Sequence, residues 1–157
     1  MAMIRWDQGR TEIDQLLGQA KLQRVPANKD LADHYLALGR GHLVAANMIN
    51  HVDAPGAFVL AYDAARLALA AVLIVQGLRA RGEGAHMTVL QAVLAHCEPP
   101  RQHEFREFQW MRGLRNDTAY PDFSRALATQ DDVEQALHAS AQIIARSEVL
   151  VGLMPSY

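Results

Sequence analysis

Ala61-Tyr62-Asp63-Ala64-Ala65-Arg66-Leu67-Ala68-Leu69-Ala70-Ala71 lies inside a largely apolar run extending from Ala57 to Arg81, and this run decides the fold. Ala and Leu order into a helix at little conformational cost and contribute little to a pleated sheet, so the run predicts a helix over Ala57–Arg81. A helix that is apolar nearly all round is packed on several sides, which makes this one the centre of a bundle. Its most apolar part, Leu67 to Leu78, is bounded by Arg66 and Arg79 and is shorter than the roughly 20 residues needed to cross a bilayer. The expectation is a buried core helix and no membrane partner. Arg79 and Arg81 would complement the negative end of its dipole, with Gly82 and Gly84 releasing the chain.

Upstream, Asn28 is placed to cap a helix that runs to about His51, with Leu31, Tyr35, Leu38, Ala45 and Ile49 as its apolar stripe. Thr11-Glu12-Ile13-Asp14 resembles a capping box and opens a first helix that Pro26 stops. Downstream, a short helix spans His86 to His96, Pro99-Pro100 resets the chain, and a fifth helix covers about Arg101 to Ala119, ended by Pro121. A second capping-box pattern, Thr129-Gln130-Asp131-Asp132, opens a last helix reaching about Leu150. Short connections between these helices favour an all-α, antiparallel up-and-down bundle of five to six helices. At 157 residues the chain reads as one folding unit, 1–157.

The formal net charge of −2 excludes a global basic field, so any nucleic-acid site has to be a local patch. Arg5, Asp7 and Arg10 interrupt the first ten residues, which therefore lack the apolar core of a secretory leader. The single cysteine, Cys97, forms no intrachain disulfide and reads as a small core residue; a reducing cytoplasm is the expected location. Among the seven histidines, His34, His42, His51, His86, His96, His103 and His138, no two have the i, i+4 spacing of a helical zinc pair. No metal and no cofactor are expected.

The densest polar cluster is Arg112-Gly113-Leu114-Arg115-Asn116-Asp117-Thr118-Ala119-Tyr120-Pro121-Asp122. Arg112, Arg115, Asn116 and Ala119 share one helix face, so two guanidiniums and a carboxamide point the same way and could hold a phosphate through paired, charge-assisted hydrogen bonds. The plainer reading is a solvated helix end whose arginines answer Glu104, Glu107 or Asp117. Asp63 and Arg66 stand on the apolar central helix, where charges must be paired or reach an edge. Either they pair within the helix, or Asp63 orients Arg112 or Arg115 across the bundle. His86, near a helix start, reads as a capping or packing residue, with a proton shuttle as the alternative, and Phe105, Phe108 and Trp110 read as core or dimer packing, with base stacking as the alternative.

Taken in order, four features resemble the HEPN superfamily: the long helix at Asp30 to His51, the alanine-rich segment quoted above, Gly84-Ala85-His86-Met87-Thr88-Val89-Leu90 leading into a short helix, and the Arg115-Asn116 step. The resemblance covers roughly residues 28–151. It implies a helical bundle, often dimeric, and in many members a metal-independent endoribonuclease or toxin that uses an Arg-Asn-x-x-x-His motif. Arg115 and Asn116 match the first two positions, and Tyr120 stands where the histidine is expected. The implied mechanism has the ribose 2′-hydroxyl attack the adjacent phosphate while the arginine stabilises the developing charge and the histidine moves a proton. Tyrosine, with a pKa of about 10, is a poorer shuttle at neutral pH. Two arrangements would rescue it: a lowered pKa for Tyr120 beside Arg115 and Arg112, or a second copy that completes a composite basic cleft. The resemblance thus implies RNA, a homodimer and a nucleotidyltransferase-type partner protein. The competing expectation is a non-catalytic module that binds a partner protein or a small ligand.

Overall fold

A computed structural model describes residues 6–97, 102–120 and 127–157. Six helices and one short ribbon appear among them: α1 (Arg10–Gly18), β1 (Leu22–Arg24), α2 (Lys29–Ile49), α3 (Ala54–Gln76), β2 (Leu78–Ala80), α4 (Ala85–His96), α5 (Gln102–Ala119) and α6 (Gln130–Leu153). The chain is an all-α bundle with a minimal two-stranded addition. The expected breaks at Pro99-Pro100 and Pro121, together with Arg5, Arg101 and Asp122, lie outside the described residues.

The central helix forms as its composition dictates, with different ends. Asp53 caps it by accepting a hydrogen bond from the Gly56 backbone, and Pro55 fits the first turn because its missing N–H would be unpaired there anyway. The helix therefore begins at Ala54, three residues before the expected start at Ala57. The helix stops at Gly77, five residues before the glycines expected to release it. Gly77 has φ +78°, and a Cβ there would stand 2.6 Å from the Val25 carbonyl oxygen. Only glycine meets both demands. At 23 residues α3 is long and apolar enough to cross a bilayer by length and composition, but 67% of its most apolar window is buried in the bundle. The dozen-residue apolar run is thus the C-terminal half of a longer helix and its exit into β2, and that helix is enclosed by α2, α4, α5 and α6.

Immediately after Gly77, β2 pairs antiparallel with β1 in the register Leu22↔Ala80, Gln23↔Arg79 and Arg24↔Leu78. This corrects the expectation of one continuous helix from Thr11 to Pro26 and of another running to Arg81. The first helix also starts differently: Gly9, in the left-handed region, is its cap, and Thr11 lies inside it. Asn28 and Thr129 do cap α2 and α6 through their side chains, and the Thr129–Asp132 box is reciprocal.

The buried face of α2 is Ala32, Leu36, Gly39 and Ala46, one step round from the expected stripe. Leu31 and Leu38 are exposed. The cause is close helix approach: at Gly39 a Cβ would lie 3.0 Å from the Ala64 carbonyl oxygen, so small residues occupy the α2–α3 contact. Across the bundle, Ser140 Oγ donates to the Ala61 carbonyl at 2.8 Å, and Arg40 pairs with Glu148 to join α2 to α6. Tyr157 closes one end, its hydroxyl donating to Asp14 at 2.5 Å and its ring lying beneath Arg10 and Arg24.

Candidate functional site

Three helices converge where α3 passes α4 and α5. The fully buried Tyr62 of α3 stacks on Phe108 of α5, with ring centroids 5.0 Å apart and planes 14° apart. That stacking fixes the phenol, and its hydroxyl meets His86 Nδ1 in the first turn of α4 at 2.6 Å. Above the same ring lies the Arg115 guanidinium of α5, 5.6 Å from the centroid, where a cation meets the negative face of the π-system. Arg112, one turn earlier on α5, shares with His86 the walls of a small cavity of about 240 Å³, completed by Gly82, Gly84 and Ala85. Arg115 Nε is buried without a hydrogen-bond partner, an arrangement native interiors seldom leave without a reason.

The titrating groups respond to this crowding. Burial pushes the Tyr62 phenol up to about 12, although Arg115, Arg112 and Arg66 pull it the other way. Burial holds the His86 imidazolium below its ordinary range, and Arg66, Arg112 and Arg115 lower it further while Asp63 opposes them. Both groups are therefore uncharged near neutrality. A protonated phenol donates, so Nδ1 accepts and the imidazole proton is assigned to Nε2. The cluster thus carries a net positive charge from its arginines and an N–H donor at His86 Nε2.

The sequence-predicted residues fall in different places. Arg112, Arg115 and Asn116 are all partly buried on α5, with Arg115 over the Tyr62 ring and Arg112 lining the small cavity with His86. Tyr120 follows the last residue of α5; its backbone N–H donates to the Asn116 carbonyl at 3.1 Å and it is 67% exposed. Five residues from Arg115, it projects about 140° round the helix axis. The tyrosine that meets Arg115 is Tyr62. Asp63 Oδ1 accepts from Arg66 Nε at 3.4 Å, with both side chains about one-third exposed, so its direct partner is its own helix neighbour. Glu107 accepts from Gln135 on α6. Phe105 and Phe108 are buried, and Trp110 meets Phe58 edge-on, so the α5 aromatics build the core that aims the arginines.

Sequence reasoning did not select His86 or Tyr62 for the site. No local motif joins them, because residues 24 apart in the chain meet only through the packing of α4 on α3. The one signal was the position of His86 at the start of a short helix.

A family model described as the HEPN domain matches residues 44–150, from the second half of α2 to near the end of α6, and this span contains every residue of the cluster. No curated protein and no solved structure matches the chain.

Proposed function

The chain belongs to the HEPN domain family, and from that premise we propose that it acts on RNA at the α3–α4–α5 cluster, as a metal-independent endoribonuclease of the toxin type. The observation that carries this reading is the juxtaposition of His86, held by Tyr62 at 2.6 Å, with Arg112 and Arg115. The family motif's histidine is replaced by Tyr120 in sequence, and His86 supplies an imidazole in space.

In this reading Arg112 and Arg115 bind the scissile phosphate, with His86 Nε2–H as a third donor. The phosphate's negative charge offsets the arginines and favours protonation of His86. The 2′-hydroxyl oxygen then bonds to phosphorus as its proton passes to solvent, and the bond from phosphorus to the 5′-oxygen breaks. His86 gives its proton to that oxygen and recovers one from solvent. The products are a 2′,3′-cyclic phosphate and a 5′-hydroxyl. Arg115 stabilises the charge that builds on the phosphoryl oxygens, an effect of about 3–4 kcal/mol when one such donor is removed elsewhere. Asn116 supports the substrate strand from the same face of α5, and the exposed Tyr120 offers a ring for an unpaired base to stack on.

The same reading includes a homodimer and a nucleotidyltransferase-type partner, in a reducing cytoplasm that suits the buried thiol of Cys97. The outward face of α2 supports a partner surface: Leu38, Val44 and Met48 are exposed and lie, with Gly41 and Ala45, within about one-third of the helix circumference. That face also favours the second reading, a binding module without chemistry.

Cleavage of single-stranded RNAs by the purified chain in EDTA discriminates the two. The ribonuclease reading expects cleavage that disappears in His86→Ala and Arg115→Ala, survives in Tyr120→Phe, and fails on 2′-O-methyl RNA. A wild type that cleaves nothing across a broad panel leaves the binding-module reading.

A further inference from the structure

A cavity of about 550 Å³ lies under the β1–β2 ribbon between α2, α3 and α4. We propose that it is a binding site for a small organic acid with an aliphatic body and a carboxylate head. The volume falls in the range of small-molecule sites, roughly 300–1,000 Å³. Its walls are mostly hydrocarbon, supplied by residues such as Leu31, Leu73, Ile74, Leu78 and Val89.

The polar groups of the lining specify the head. Arg79 Nη2 donates to the neutral Gln23 Oε1 at 3.3 Å, a contact that leaves its charge uncancelled. Arg66, the other lining guanidinium, is only partly offset by Asp63 at 3.4 Å. Asn28 Oδ1 is occupied by the Leu31 backbone N–H, and His86 Nδ1 by Tyr62. Acceptor capacity among these lining side chains is therefore largely spent, while cationic donors remain, apart from the Tyr35 hydroxyl, which can serve either way. A carboxylate only accepts, so it matches this set. A nucleobase presents donors as well as acceptors at its edge and would leave donors buried without partners. The exposed Leu31 at the cavity is also accounted for by an apolar ligand covering it.

This site goes beyond the RNA reading, but Arg66 and His86 belong both to its wall and to the cluster that faces Tyr62. A carboxylate seated there is felt at His86. Binding and its effect are measurable without RNA.

The test is calorimetric titration of the full chain with decanoate, decanol, inorganic phosphate and uridine 5′-monophosphate, paired with NMR of the His86 imidazole. The expected result is saturable decanoate binding at micromolar affinity, about 10-fold or more tighter than decanol, with the His86 resonances shifting along the same isotherm. Arg79→Gln, a change on an exposed side chain, weakens decanoate by about 5–10-fold; Ala70→Phe, which fills the cavity, abolishes binding while circular dichroism stays helical. Absence of saturable decanoate binding overturns the proposal, as does equal binding of decanol. Tighter binding of the nucleotide than of decanoate overturns the ligand class, and a decanoate affinity unchanged in Arg79→Gln overturns the place assigned to the head.

Discussion

Tyr62→Phe removes one hydroxyl and leaves everything else at the site in place. The ring keeps its stack on Phe108 at 5.0 Å and its place beneath Arg115 at 5.6 Å, while the 2.6 Å hydrogen bond to His86 Nδ1 is lost. A typical intramolecular hydrogen bond contributes about 0.5–1.5 kcal/mol net, and the imidazole nitrogen left without its donor adds to the loss, giving about 1–2 kcal/mol in total. For a chain of this size that corresponds to a fall in Tm of very roughly 2–8 °C. Tyr62→Ala also deletes a fully buried ring, which costs about 3–5 kcal/mol. Urea unfolding followed by circular dichroism measures both. The reasoning is refuted if the Phe variant is as stable as wild type, or if the Ala variant loses no more than the Phe variant does.

Other perturbations follow from the same geometry. Gly77→Ala should destabilise by more than the ~1–2 kcal/mol of left-handed backbone strain, because the added Cβ also drives into the Val25 carbonyl 2.6 Å away; the same unfolding assay measures it. His96 is buried and its pKa lies below the ordinary value, chiefly through desolvation, with the Gln8 carbonyl contact and Glu12 opposing. The unfolded chain therefore takes up its proton first, and stability should fall as pH drops below about 6.5, by at most ~1.4 kcal/mol per pH unit from this group. His96→Gln should flatten that slope in melts taken from pH 7 to pH 5. Met48→Glu, on the exposed α2 face, should convert a sedimenting dimer to monomer with little change in Tm; a wild type that sediments as a monomer at micromolar concentration removes the dimer from the account.

What the sequence revealed was what neighbouring residues decide together. The body of α3, the Asn28 cap and the Thr129–Asp132 box are local and appear where expected, while the ends of α3 shift to Ala54 and Gln76. The start of α1 was misread because Gly9 caps it through backbone geometry, and its fit depends on Ala95 of α4, where a Cβ would collide. Three-residue strands have too few positions to show alternation, so the ribbon read as the ends of helices. On α2, apolar size was a poor guide to burial. The contact with α3 selects Gly39 and Ala32, while Leu31 turns to the cavity and Leu38 to solvent. The arginine half of the candidate site was legible because Arg112 and Arg115 share one helix; the Tyr62–His86 half was not, because it exists only after α4 has packed on α3.

The central claim is that His86 and the two arginines form one phosphate-binding site for RNA. It is tested most directly by an NMR titration of the His86 imidazole, with and without a saturating 2′-O-methyl oligoribonucleotide that binds but cannot be cleaved. The account predicts that the bound phosphate raises the depressed His86 pKa and that the rise vanishes in Arg115→Ala. A His86 titration unmoved by the oligonucleotide would contradict it.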